Sequence, residues 1–213
     1  MMTAQNYKDL SVKEFTKAAE VYDSGHAGLY EMCKDDYPPV LEELKAYPFQ
    51  TLLDVGCGTG PMIELLLQEF PTPHYTGLDL TPRMIEVAQE KNLPHTNFRV
   101  GDSENLPFAE KTFDVVVCTN SFHHYPHPQA FFNEAARVLK RGGRLILRDY
   151  TSSNVIVWLM NHVEMPLANL VGHGDVKIYR CDEVKAMCQK AGFRVLKLEA
   201  QKGFRMHLVA EKE

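Results

Sequence analysis

The chain has 213 residues, 45% of them hydrophobic and 24% charged, with a formal net charge of −5. That length suits one domain with a real core and is short for two. The acidic balance, with a pI near 6.0, argues against a nucleic-acid backbone as the main partner, because such partners demand a basic face. Five cysteines (33, 57, 118, 181 and 188) form no CxxC pair or metal-type spacing, so they read as reduced thiols. The opening MMTAQNYKDLSVKEF lacks the apolar run of a signal peptide, and the most apolar stretch, Val155–Val171, is broken by Asn161, His162, Glu164, Pro166 and Asn169. These features predict a cytoplasmic protein with no stable membrane insertion.

From residue 50 onward, short apolar runs alternate with amphipathic helical patterns, the mark of a parallel α/β sheet. The first strand is predicted over Thr51–Val55, followed by a glycine turn and a helix opened by Pro61 and running to Phe70. A second strand, Tyr75–Asp79, precedes a helix with Thr81 as cap and Pro82 as first residue. A third strand is expected over Asn97–Gly101. A fourth, Phe113–Cys118, carries Val115-Val116-Val117 without polar interruption, as a strand buried on both faces should. Phe131, Ala135, Val138 and Leu139 mark the next helix, stopped by Lys140, Arg141 and Gly142, and Arg144–Tyr150 is the fifth strand.

Beyond it the pattern changes. Residues 151–180 predict one or two apolar helices broken at Pro166, with Ile156, Leu159, Met160, Val163, Leu167, Leu170 and Val171 at helical spacing and Trp158 beside them. This stripe reads either as a lid over an acceptor pocket or as core packing or a homodimer contact. A helix capped by Asp182 runs to Ala191. Phe193–Ala200 and Phe204–Glu211 then form strands around a Gln201-Lys202-Gly203 turn. The sum is one α/β domain over residues 1–213, with a seven-stranded, mostly parallel sheet and a C-terminal antiparallel hairpin.

The strongest chemical signal is Asp54-Val55-Gly56-Cys57-Gly58-Thr59-Gly60 at the end of the first strand. Glycines there allow a sharp turn and a close approach of backbone to ligand, at the edge of the sheet where α/β proteins bind ligands. The spacing is GxGxG followed by Pro61, so the GxGxxG of dinucleotide enzymes is not met. Asp79 ends the second strand 19 residues after Gly60, placed for a carboxylate to accept from ribose hydroxyls. Ser121-Phe122-His123-His124-Tyr125-Pro126-His127 holds three histidines in five residues. With two prolines and no acid or cysteine close in sequence, it predicts no metal site. Imidazoles titrate near neutrality, so His124 and His123 are the candidate general bases, ahead of Asp149, Glu164 and His173.

Leu52–Gly60 resembles the first motif of class I S-adenosylmethionine-dependent methyltransferases, and Gly77–Ile85 the second. Gly101–Phe108 is similar to the family's adenine-side loop, and Phe113–Val116 and Ala135–Leu145 to the motifs around strands four and five. Within that family the subgroup of ubiquinone and menaquinone biosynthesis methyltransferases is the nearest likeness. The resemblance implies a Rossmann-like three-layer sandwich that uses S-adenosyl-L-methionine and releases S-adenosyl-L-homocysteine. Gly56, Cys57, Gly58 and Gly60 would pass beneath the methionine part, and Asp54 would anchor its amino end. Asp79 would hold the ribose, with Leu80 and Met84 near the adenine. Asp102 would accept from the adenine amino group, Ser103 would line the same pocket, and Thr119 and Asn120 would face the methionine moiety. Residues 1–48 would form a helical cover through Phe15–Asp23, with Tyr22 either near the sulfonium or simply packing an amphipathic helix.

The expected activity is methyl transfer to a small, hydrophobic or aromatic metabolite by in-line displacement. No nucleic-acid partner is expected: Thr119-Asn120-Ser121-Phe122 stands where an Asn/Asp-Pro-Pro-Tyr motif would be, and there is no Pro-Cys dipeptide. A non-catalytic cofactor-binding or regulatory protein and a protein methyltransferase are the alternatives, since fold and cofactor site alone do not establish turnover.

Overall fold

The structure is a computed structural model that describes residues 2–22 and 33–213. The part of the expected N-terminal cover at residues 23–32 lies outside these. In chain order the elements are α1 (Ala4–Ala18), a 3₁₀ turn (Lys34–Asp36), α2 (Tyr37–Lys45), β1 (Thr51–Val55), α3 (Pro61–Glu69), β2 (His74–Asp79), α4 (Pro82–Glu90), β3 (Thr96–Val100) and β4 (Phe113–Thr119). Next come a 3₁₀ turn (Phe122–His124), α5 (Pro128–Val138), β5 (Leu139–Tyr150), α6 (Asn154–Leu159), a π turn (Met160–Glu164), α7 (Met165–Leu170), α8 (Cys181–Lys190), β6 (Phe193–Gln201) and β7 (Arg205–Lys212).

One seven-stranded sheet runs in the order β3-β2-β1-β4-β5-β7-β6. The first five strands are parallel, whereas β7 pairs antiparallel with both β5 and β6. The chain starts in the middle and winds outward in two directions, so strand order reverses between β1 and β4, the place where such sheets open a crevice. Strand periodicity divides the core in two. Val116, Cys118, Leu145 and Leu147 face Phe131 and Ala135 of α5 and Val184 of α8. Val115, Val117 and Ile146 face Val40 of α2, Ile63 and Leu66 of α3, and Ala88 of α4. Helices therefore cover both faces, giving the expected three layers.

The differences from the predicted elements have local causes. β5 begins at Leu139 rather than Arg144, because α5 passes directly into the strand and Gly142 (φ +75°) sits in its opening irregularity. α8 starts at Cys181, ahead of the expected Asp182 cap, and the Glu183 carboxylate accepts from the Arg180 N–H at 3.0 Å. The segment expected to break at Pro166 stays helical. A proline removes one i→i−4 hydrogen bond and crowds the carbonyl four residues back; the π turn at Met160–Glu164 loosens the backbone at that point. Val157 and Met165 point inward with Ile178, while Ile156, Leu159, Val163, Leu167, Leu170 and Val171 of the predicted stripe, and Trp158 beside them, are exposed before, within and after the π turn. The core-packing reading of the stripe is corrected by that exposure.

Candidate active site

A cavity opens at the carboxyl ends of β1, β2 and β4, the edge of the sheet where α/β proteins bind ligands. Its walls include Tyr22, Asp54, Gly56, Cys57, Gly58, Asp79, Leu80, Met84, Asp102, Ser103, Thr119, Asn120 and His124. Thus three strand ends, the loop after β3 and the end of the N-terminal segment meet around one space. Gly60 and His123 are not on its wall. Gly60 instead serves packing: a Cβ there would come within 2.7 Å of the Phe98 ring. Gly56 is at φ +77°, and a Cβ on it would collide with Ser121 Oγ, so this turn tolerates only glycine.

Of the first two acids, Asp54 is buried and Asp79 half-buried. Asp79 accepts from the Gly58 N–H at 3.0 Å and from the Thr81 N–H at 2.8 Å, which locks the glycine turn of β1 to the end of β2. Thr81 sits at the start of α4 as predicted, but its side chain makes no cap bond to the helix. Burial raises the Asp79 pKa, with the backbone donors pulling against it. Asp54 is pushed up to about 7, first by burial and then by the charge of Asp79. Its Oδ1 is buried without a hydrogen-bond partner, as is Oδ1 of Asn120. Asn120 follows β4 in a left-handed conformation, φ +51°, and donates to Asp36 at 2.9 Å. Asp36 is itself buried between Arg148 at 2.9 Å and Arg205 at 2.8 Å. Nothing local in the sequence marks Asp36; it is joined to β5 and β7 only by the fold.

On the adenine-side loop, Asp102 accepts from the Glu104 N–H at 2.9 Å and from Lys8 Nζ at 2.7 Å. Lys8 also reaches Glu104 at 2.5 Å. Burial works against its charge, but the two carboxylates win and raise its pKa. Lys8, Ser11 and Phe15 place α1 across the cavity. The amphipathic reading of the N-terminal segment identified Phe15 but missed Lys8, whose partners lie 94 and 96 residues away.

The histidines stand in the 3₁₀ turn after β4. His124 lines the cavity, stacked edge-on to Phe15 at 5.2 Å, and His123 lies behind it. Glu164 and His173, the weaker base candidates, are exposed, and His173 is bound to Glu14 at 2.6 Å. The expectation that no acid stands near the histidines is overturned. Asp149, from the end of β5, bonds His123 Nδ1 at 2.7 Å, and Asp175 comes within 3.5 Å of His123 and 3.4 Å of His124. Burial lowers the basicity of His123, but the facing Asp149 outweighs it and the net shift is upward. Burial, then the neighbouring His123, pull His124 down to about 4. Cys33 also lines the cavity, but burial lifts its thiol to about 11, so it stays protonated.

This site and sheet define a Rossmann-like methyltransferase fold, and comparison with known proteins agrees. Residues 53–147 match the methyltransferase domain family. Over that segment the chain is similar to the family, and relatives named as methyltransferases resemble it further. It is 29% identical to the demethylmenaquinone methyltransferase of Thermotoga maritima, over 88% of this chain and 90% of that one. It is 40% identical to the phthiotriol/phenolphthiotriol dimycocerosates methyltransferase 1 of Mycobacterium ulcerans, over 56% of this chain and 45% of the relative. The chain therefore spans less than half the length of that relative. In fold it is similar to a SAM-dependent methyltransferase from Aquifex aeolicus, with a TM-score of 0.68 at 20% identity, over 94% of this chain and 97% of that chain.

The cofactor implied by this kinship is S-adenosylmethionine, and the cavity fits it. Buried acceptors without partners are rare in folded proteins, yet Asp54 Oδ1 and Asn120 Oδ1 are two such atoms on one wall. An ammonium group in the cavity is the kind of donor they lack.

Proposed function

We propose that the protein is an enzyme that transfers a methyl group from S-adenosylmethionine to a small, hydrophobic or aromatic metabolite by in-line displacement. The observation that carries this reading is the continuity of the cavity. The same space touches the motif acids Asp54, Asp79 and Asp102 at one end and Phe15 and His124 at the other, so donor and acceptor have adjoining places.

When bound, S-adenosylmethionine supplies a methyl already activated by positive sulfur, so the protein's share is position and charge environment. Asp54 and Asn120 would hold the ammonium end, Asp79 the ribose, and Asp102 with Ser103 the adenine edge. Phe15 gives the acceptor end an apolar wall. His124, titrating about 4, is neutral at physiological pH and a weak base. This favours acceptors whose nucleophile ionises easily or is already activated, such as phenols and hydroquinones. A relative named for demethylmenaquinone supports the same class.

Calorimetric titration with S-adenosylhomocysteine, followed by mass-spectrometric assay of methyl transfer to hydroquinone, phenol and fatty-acid acceptors, tests the proposal. Micromolar binding with turnover of a phenolic acceptor is the expected result. Failure of well-folded protein to bind would overturn the cofactor assignment. Binding without transfer to any acceptor would leave a regulatory, cofactor-binding role in its place.

A further inference from the structure

His123, His124 and Asp175 each present one ligand-type atom, and the three lie within 4.8 Å of one another. His123 Nε2 is 3.5 Å from Asp175 Oδ1, and His124 Nδ1 is 3.4 Å from that same oxygen. These separations are too long for good hydrogen bonds, and His124 Nδ1 is buried without a hydrogen-bond partner among the described residues. The two distances to the carboxylate oxygen match another geometry. Ligands bound at 2.0–2.2 Å to a tetrahedral ion stand about 3.4 Å apart along each edge.

The surroundings hold these atoms in place. The Val176 and Lys177 amides donate to the His123 carbonyl at 2.9 and 3.1 Å, and Glu14 accepts from the Gly174 N–H at 2.9 Å, so Asp175 is fixed on both sides. Asn169 Nδ2 adds a bond to the Asp175 carbonyl at 3.0 Å. The second nitrogen of His123 bonds a buried carboxylate, Asp149, at 2.7 Å. A carboxylate on the far side of a ligating imidazole is the usual support of a metal-bound histidine, because it fixes the tautomer and strengthens the ligand.

We propose that His123 Nε2, His124 Nδ1 and the Asp175 carboxylate bind one divalent transition-metal ion of the zinc type, with Asp149 as the positioning residue behind His123. Two imidazoles and one carboxylate suit Zn²⁺ or Co²⁺ and leave a fourth position open. Because His124 is on the cavity wall, the ion sits beside the acceptor end, where it would bind an acceptor oxygen as a Lewis acid. Metal binding is read directly and does not depend on methyl transfer.

The test uses the whole purified chain, stripped with a chelator and titrated with Zn²⁺ against a chromogenic competitor, and with Co²⁺ by visible absorption. One equivalent binding below micromolar Kd, with the intense absorption of tetrahedral Co²⁺, is expected. Asp175→Ala and His124→Ala should each lose at least ~100-fold in affinity, and Asp149→Asn about 10–100-fold. His173→Ala, which removes the exposed histidine two residues from Asp175, should change nothing. Thermal melting of each variant separates loss of a ligand from loss of the fold. The proposal is overturned if Zn²⁺ binds no tighter than tens of micromolar. It is equally overturned if folded Asp175→Ala and His124→Ala proteins bind it unchanged, or if His173→Ala alone abolishes binding.

Discussion

The two ends of the cavity are built differently. The donor end comes from three consecutive strands, β1, β2 and β3, and its acids Asp54, Asp79 and Asp102 sit within two residues of those strand ends. The acceptor end is assembled from α1, the turn after β4, the end of β5 and the loop before α8, through Phe15, His124, Asp149 and Asp175. One end is local in sequence and the other is tertiary. The donor end should therefore fail sharply under single substitutions, whereas the acceptor end should be tuned by groups distant in the chain.

The largest effect is expected at Asp79. Asp79→Ala removes the acceptor for Gly58 and Thr81 together, leaving two backbone donors unpaired at ~1–3 kcal/mol each and no carboxylate for the ribose. S-adenosylhomocysteine affinity should fall at least ~100-fold, measured by calorimetry. Asp79→Asn keeps an acceptor for one amide and turns an NH2 towards the other, so it should recover part of the stability but not affinity. If the alanine variant binds like the parent protein, the donor end is not where the strand ends place it.

Next comes pH. Asp54 keeps its proton up to about 7 in the folded chain, against an ordinary value of 3.8. The sign is set by linkage: between these values the folded state binds more protons than the unfolded state, so this residue's contribution to stability declines as pH rises through that window. A cationic ligand favours the ionised carboxylate, so binding below pH 7 expels the proton. Affinity for S-adenosylhomocysteine should rise about tenfold from pH 6 to pH 8, with proton release visible as buffer-dependent heat. Asp54→Asn should flatten the profile. An unchanged slope in that variant would assign the proton to another group.

The same contrast explains what could be read from the sequence. The glycine turn, the order of strands and the residues at strand ends are period-2 and turn signals that act within about ten residues, and twelve of the thirteen residues assigned to the cofactor line the cavity. Gly60 is the exception, because a glycine needed for approach to Phe98 has the same sequence appearance as one needed for a ligand. Asp36 and Asp175 were invisible as site residues, and Asp149, named only as a base candidate, could not be paired with His123, since their partners lie 84, 51–52 and 26 positions away. No local pattern brings such groups together. The core-packing reading of the apolar stripe failed for another reason: a helical period marks an apolar face but not whether that face meets the core or stays exposed.

A smaller effect is expected where the two ends are joined. Lys8 of α1 holds the adenine-side loop through Asp102 and Glu104, while Phe15 on the same helix touches His124. Lys8→Met keeps the stem and removes the charge. Cofactor affinity should drop about threefold to fivefold, the worth of one partly buried ion-pair network, and the deficit should shrink in high salt as the parent's own attraction is screened. A loss that ignores salt would mean that packing of α1, not charge, orders the loop.

The least effect of all is expected at Leu170, and it is informative because Met165 is five residues away. Met165 is 5% exposed and Leu170 82%, although a regular helix would have placed Leu170 within the apolar stripe. Met165→Ala should cost about 2–3 kcal/mol by leaving a void beside Val157 and Ile178. Leu170→Gln should stay within about 0.5 kcal/mol of the parent, both by denaturant unfolding. Equal costs would mean that Met165 and Leu170 do not lie on opposite sides of α7. A Leu170→Gln penalty that grows with protein concentration would instead identify this face as a contact between two copies of the chain, because only association makes stability depend on concentration.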